Sequence, residues 1–494
     1  MTAPPLPPEG AAPAGPAASA ESRFLSSTVA AYGSQGARLV LRLVVDIALA
    51  RLILEHFHGL WELAYSAVII AGVLRDFGLP YQLVRDRREP YGTVLAWSVG
   101  AGALITAALI AGSPLFAVLD PQLPAVVAGL AAYVLLDGLA TVPRVFFERR
   151  LEIGRLVVPE IARGAVFAAV SIALAVAGAG VWSFVVGELV GMAVLAGLLW
   201  WRAWGRMPLA FDLRLLPDLL RRSRLLFLVA LCAFTLPYFE RYVLGPFVST
   251  AMVAQYGKAR LWGLRVQTIV VPAVQRVLYP ALVEMQADSR RFFEVFRIGT
   301  VTILAMESLA AWFLFFNAET VLVDILLGDQ WRPAVPLFRI LCFLPLVDPF
   351  SRLGGELLKV RQEDRAWLAV VVLNFASLIV FGLLLTRAHG AIGLVFAEFL
   401  LLGNLLMAWR VWRICGSRDF QRLLADLAYV YFVPLAPFVV VALSFPDEGW
   451  ARLAASLGAL ALGVGLVALR FYRPFRSFFA GRTVGGEGPP ESGR

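Results

Sequence analysis

Residues 93–118, TVLAWSVGAGALITAALIAGSPLFAV, run for 26 positions without one charged side chain. About 20 residues of α-helix cross the hydrocarbon core of a bilayer, whereas a membrane-spanning β-strand needs only about 9–11 residues of alternating polarity. A stretch this long and uniformly apolar is therefore a transmembrane helix, because a helix satisfies its own backbone where no water is at hand. The surrounding chain agrees. Of its 494 residues 60% are hydrophobic and 16% are charged, against about 25% charged in soluble domains. Such a composition argues against a secreted, fibrous or nucleic-acid-binding protein.

Working outward from this segment, apolar runs predict fourteen helices near 27–54, 59–84, 93–118, 124–146, 156–176, 181–202, 224–244, 251–280, 297–317, 334–356, 366–386, 390–411, 427–445 and 453–470. Lys and Arg then orient them. The N-terminal tail and every second connection hold thirty, and the alternate connections hold Arg332, Arg387 and Arg452. Positive charge collects on cytoplasmic loops, so both termini are expected in the cytoplasm. The same rule accounts for the net charge of +9. Residues 1–23 and 477–494, rich in Pro, Gly, Ala or Ser, read as disordered cytoplasmic tails.

Short outer connections leave no room for the folded acceptor-binding loop of a membrane glycosyltransferase or polymerase. There is no Walker loop, nucleotide fingerprint or HExxH. His56, His58 and His389 are the only histidines, and His56-x-His58 reads as an interfacial loop pair. No enzyme, cofactor or metal site is expected. Cys232, Cys342 and Cys415 carry no metal spacing and read as free thiols.

Eleven basic residues remain inside the predicted spans: Arg38, Arg42, Arg51, Arg75, Arg163, Arg241, Lys258, Arg260, Arg265, Arg276 and Arg339. Each costs about 2.5–3.5 kcal/mol at a helix centre unless it faces a bundle interior or a water-filled cavity. Arg51, Arg75, Arg163 and Arg276 lie near helix ends, where they can snorkel. Gln35, Arg38, Arg42 and Asp46 stack on one face of the first helix. Lys258, Arg265 and Arg276 return to nearly one azimuth on the eighth, with a kink expected at Pro272. Two cationic stripes predict a central cavity for an anion, most simply a phosphate. Arg38, Arg42, Lys258 and Arg265 are the primary binding residues, with Gln35 and Arg276 as additional cavity lining. Asp46, Asp137, Glu188, Glu307, Asp348 and Glu398 are candidate sites for a coupling ion or proton. Glu240–Arg241 reads as a local charge pair.

Arg51-Leu-Ile-Leu54 followed by Tyr65 aligns with Arg241-Tyr-Val-Leu244 followed by Tyr256. This places helices one and two over seven and eight, in the same orientation, as parallel repeats.

Three stretches carry a family resemblance. Residues 50–85 place Gly59-Leu60-Trp61 after a short outer loop and Asp76-Phe77-Gly78 before a basic end at Arg85. Residues 238–280 contain Glu240-Arg241, Gln255-Tyr256 and Val277-Leu278-Tyr279-Pro280, and residues 327–334 read LGDQWRPA. Together they resemble the polysaccharide-type flippases of the multidrug/oligosaccharidyl-lipid/polysaccharide exporter superfamily, with Glu240 where Asp is usual. The resemblance implies two six-helix bundles, 24–202 and 224–413, joined by a cytoplasmic linker at 203–223. These would form a V-shaped cavity of the multidrug-exporter type, with two added helices in 427–470. It implies a polyprenyl-diphosphate-linked oligosaccharide as cargo, moved across the inner membrane by alternating access for exopolysaccharide, capsule or O-antigen synthesis. Membrane lipids, a polysaccharide polymerase and export machinery are the further partners implied, and no nucleic acid. The competing readings are a cation-coupled multidrug exporter of the same fold and a non-transporting membrane subunit of a polysaccharide-synthesis complex.

Overall fold

The computed structural model describes residue 36 and residues 39–480, except 87, 286, 287, 348 and 362. It is helical throughout, with no strand among the described residues. The first half contains α1 (39–52), α2 (Glu55–Asp76), α3 (Leu79–Arg85), α4 (Tyr91–Gly112), α5 (Leu123–Leu130), α6 (Ala132–Arg149), α7 (Gly154–Val176) and α8 (Trp182–Ala203). The second half begins with α9 (Leu216–Leu244), α10 (Thr250–Gly263), α11 (Arg265–Glu284) and α12 (Ser289–Phe316). A π-helical turn, Thr320–Leu327, and a 3-10 segment, Asp329–Ala334, lead to α13 (Val335–Leu341), α14 (Leu344–Val347) and α15 (Pro349–Val360). The chain closes with α16 (Asp364–Phe399), α17 (Leu402–Cys415), α18 (Ser417–Phe432), α19 (Leu435–Ser444) and α20 (Trp450–Ala480).

Among the described residues, ten helical stretches are long and apolar enough to cross a membrane. One of them, Arg365–Cys415, is 51 residues long and doubles back at Gly390, whose φ of 60° and ψ of −140° are not helical. Large apolar side chains point outward, as on Leu104, Leu115 and Val118. Lipid is as apolar as leucine, so such a surface needs no polar coat. This is a multi-pass membrane protein. The expected tail at 1–23 lies outside the described residues, as do residues 481–494. The other tail boundary is corrected: α20 continues to Ala480, so residues 477–480 are helical.

Two buried apolar clusters organise the packing. The larger joins α2, α4, α5, α6 and α8 to α10, α13 and part of α16. The second joins α11, α12, α15, α17 and α18. The predicted eighth helix passes from one cluster to the other and breaks there. α10 ends at Gly263, Leu264 has φ −95° and ψ 6°, and α11 starts at Arg265. The kink expected at Pro272 is thus displaced to Leu264, an ordinary helix former. Packing against two separate cores overrides its local preference.

Close backbone approaches explain two motif glycines. At Gly59 a β-carbon would sit 1.9 Å from the Thr250 carbonyl oxygen, so α2 and α10 touch here through bare backbone. At Gly78, φ is 72° and a β-carbon would lie 2.9 Å from the Phe227 nitrogen. Only glycine fits that left-handed turn against α9, and Phe77 stacks on Phe227 beside it, centroids 4.3 Å apart.

Candidate functional site

α1 presents Arg42 and Asp46 one turn apart. Across from it, the broken eighth helix brings Lys258 near the end of α10 and Arg265 to the first position of α11. Arg265 Nη2 donates to Asp46 Oδ2 at 3.1 Å, and its guanidinium lies 5.0 Å from the centre of the Trp262 ring. The Nε–H of Arg265 is buried and has no acceptor among the described residues. Lys258 is buried, its ammonium 5.6 Å from the centre of the Trp331 ring. Asp46 and Glu62 act on that ammonium as opposite charges, Arg265 and Arg42 as like charges. Glu62, on α2, accepts from Arg241 Nε at 2.7 Å.

The junction of α1, α2, α9, α10 and α11 therefore gathers four cations (Arg42, Arg241, Lys258, Arg265) around two carboxylates, Asp46 and Glu62. Arg42 is exposed and Asp46, Glu62 and Arg265 are half-buried, so the cluster remains accessible. The break at Leu264 adds the positive end of the α11 dipole. Aromatic rings adjoin it. Trp61 stacks between Tyr65 and Phe184 at 4.8 and 5.3 Å, and Arg241 lies 5.6 Å from the Tyr238 ring centre.

Of the primary residues expected from sequence, Arg42, Lys258 and Arg265 are brought together. Arg38, Gln35 and Asp348 lie outside the described residues. Arg276 is exposed on α11. Asp137, Glu188 and Glu398 pair with different cations. Asp137 accepts from Arg75 Nη2 at 2.9 Å and Glu188 accepts from Arg163. Glu307 is buried in α12. Glu398 and Glu240, both buried, flank Arg260, whose Nε is 3.2 and 2.7 Å from their carboxylates.

Four expectations are corrected. Glu240 and Arg241 do not pair: Glu240 turns to Arg260 and Tyr256, and Arg241 to Glu62. Arg75 does not snorkel. It is fully buried, held by Asp76 and Asp137, with Gly138 leaving room for its Cδ. His56 and His58 are not a loop pair. They occupy the first turn of α2, His56 3.8 Å from Asp120, and His58 buried between the rings of Phe184 and Trp331. Arg163 likewise turns inward to Glu188. Sequence reasoning missed Glu62 and Arg241 as a linked pair. An acid inside the apolar run of residues 59–84 was the available signal for Glu62.

The LGDQWRPA segment clamps this junction from one end. Gln330 and Trp331 donate to the Ala50 carbonyl, which has no partner further along α1. Gln255 on α10 donates to the Gln330 carbonyl at 2.8 Å. Arg51 caps the π-helical turn through the carbonyls of Ile325 and Leu326 at 2.7 and 3.0 Å.

The helical membrane fold is shared with solved flippase and multidrug-transporter structures. The solved structure of the lipid II flippase MurJ in an inward closed conformation superposes with a TM-score of 0.71 at 14% identity, over 91% of this chain and 99% of that one. An inward-facing multidrug-resistance transporter of the multidrug/oligosaccharidyl-lipid/polysaccharide exporter superfamily superposes at 0.60, also at 14% identity, over 78% and 96%. Within this fold the chain belongs to the polysaccharide biosynthesis protein family, whose profile matches residues 48–336, more than half of it. Lipopolysaccharide biosynthesis protein WzxC of Escherichia coli (strain K12) is 24% identical over 338 residues, 65% of this chain and 67% of that one.

Proposed function

We propose that the protein is a flippase that moves a polyprenyl-diphosphate-linked oligosaccharide from the cytoplasmic to the outer leaflet of the inner membrane, for exopolysaccharide, capsule or O-antigen synthesis. In this reading fourteen helices form two six-helix bundles, 24–202 and 224–413, joined by a linker at 203–223, with two further helices in 427–470 and both termini cytoplasmic. The bundles rock about the charged junction in alternating access.

The observation that carries the reading is the Arg265–Asp46 ion pair at the start of α11, with Lys258 and Arg42 near enough to act on it electrostatically. A diphosphate has the charge and the acceptors to displace Asp46 from Arg265 and take the unused Nε–H, next to the positive end of the α11 dipole. Arg38, Gln35 and Arg276 are proposed to line the path on either side. Two cations in excess of carboxylates favour an anionic load. Trp61, Tyr65 and Trp262 offer faces for sugar rings.

The coupling proton is assigned to Glu398 and Glu240. Tyr256 has one hydroxyl hydrogen, yet its oxygen lies within hydrogen-bond reach of both carboxyl groups. One cation, Arg260, faces two acids, so the charge balances when one proton joins the cluster. Asp46, Asp137, Glu188, Glu307 and Asp348 are secondary candidates.

Binding tests the site. Purified protein should be stabilised thermally by polyprenyl-diphosphate oligosaccharide, and Arg265→Gln should remove that shift. Equal stabilisation of wild type and variant would discard the site. A cation-coupled drug exporter is the second reading, favoured by Asp46 and Glu62 within the cluster. It predicts stabilisation by organic cations instead.

A further inference from the structure

α17 ends in a sharp turn at Gly416, φ 84° and ψ 162°, and α18 leaves it at once. Between the two helices lies a cavity of about 460 Å³ lined by Ala408, Trp409, Trp412, Ser417, Phe420 and Gln421. It is remote in sequence from the charged junction and packs with the second apolar cluster. Both indoles are 41% exposed, and neither donates to a described residue. Two guanidiniums stack on one ring, Arg413 at 5.0 Å and Arg410 at 5.3 Å from the centre of Trp409. Arg413 and Arg418, both exposed, adjoin the lining residues Trp412 and Ser417 in sequence. Local acids offset only part of this charge, Glu363 facing Arg410 at 3.3 Å and Asp419 facing Arg422 at 3.7 Å. Above the cavity, Leu405 (69% exposed) continues the Trp409–Trp412 face along α17, one and two turns away.

We propose that this cavity binds an anionic phospholipid, its phosphate held by Arg413 and Arg418 and one acyl chain laid along Leu405, Trp409 and Trp412. A cavity and a continuous apolar track accept a chain, and cations at the end of the helix match an anionic headgroup. Indole N–H groups, wet at the interface and apolar below it, suit the glycerol level. The ligand is a resident lipid, distinct from the cargo, and does not depend on the transport reading.

Native mass spectrometry of the full chain, released from detergent with equimolar phosphatidylglycerol and phosphatidylcholine, tests this. Wild type should retain phosphatidylglycerol preferentially, and Arg413→Gln/Arg418→Gln should lose that preference by about fivefold for each arginine, with unchanged thermal unfolding. Should the double variant misfold, brominated phosphatidylglycerol provides a second measurement: it should quench tryptophan emission less in Trp409→Phe/Trp412→Phe than in wild type. Equal retention of both lipids by wild type, or a preference that survives the substitutions, overturns the proposal. So does displacement of phosphatidylglycerol by polyprenyl diphosphate at this site, which would make the cavity part of the cargo path.

Discussion

Arg241 Nε and Glu62 Oε2 stand 2.7 Å apart across the contact of α9 with α2, linking the second half of the chain to the first through a mostly buried ion pair, its side chains 12% and 20% exposed. Removing one partner strands the other charge in a low-dielectric site, a loss of about 3–5 kcal/mol. Glu62→Gln should therefore destabilise the protein by about 3 kcal/mol, and Glu62→Gln/Arg241→Gln should be less destabilised than the single changes sum to. Unfolding of the three variants in detergent checks this. Additive effects would show that the pair is not coupled.

The bare-backbone contact of Gly59 with Thr250 predicts how one end of the junction closes. Gly59→Val should wedge α2 from α10 and expose position 250, which is buried in the present structure. A polar maleimide should label Thr250→Cys slowly in the wild-type background and faster with Gly59→Val. Unchanged labelling would mean that the helices separate without this contact governing them.

On the loop between α3 and α4, Asp86 accepts from Arg88 through both oxygens, Oδ2 at 2.6 Å. These hydrogen bonds pull its carboxyl down to about 2, below an ordinary aspartate near ~3.9. A depressed acid stabilises the fold above the unfolded value and loses that contribution as pH falls through the folded one. Asp86→Asn should lower the unfolding temperature at pH 7, by an amount constant down to about pH 5, and the difference should shrink as pH approaches 2. A difference that grows on acidification would contradict the assignment.

Glu398→Gln removes the acid shared by Tyr256 and Arg260. Exchange of lipid-linked glycan between leaflets should persist in this variant but cease to respond to an imposed pH gradient. Glu307→Gln, on a different helix, should keep that response. Proteoliposomes with and without a gradient distinguish them.

Much of this architecture is legible in the sequence, because lipid imposes one rule on every span: helical, apolar and long. The segment at 93–118 falls within helix almost end to end. The convergence of Arg42, Lys258 and Arg265 is legible too, since each charge must face inward to avoid hydrocarbon. The break at Leu264 is not. Nothing in Gly263-Leu264-Arg265 beyond a single glycine announces it, and its cause is a pair of cores assembled from segments hundreds of residues apart. Ion pairs such as Arg75–Asp137 are hidden for the same reason, their partners 62 positions apart.

The central claim is that a cationic junction carries a lipid-linked diphosphate across the membrane. Leaflet exchange of a fluorescent polyprenyl-diphosphate oligosaccharide in proteoliposomes tests it most directly, comparing wild type with Arg42→Ala/Arg265→Ala shown to be folded. The account predicts rapid exchange by the wild type and at least about a tenfold loss in the variant, the equivalent of one charge-assisted contact of about 1.5 kcal/mol. Exchange at the wild-type rate in the variant, or none by the wild type for any lipid-linked glycan, would contradict it.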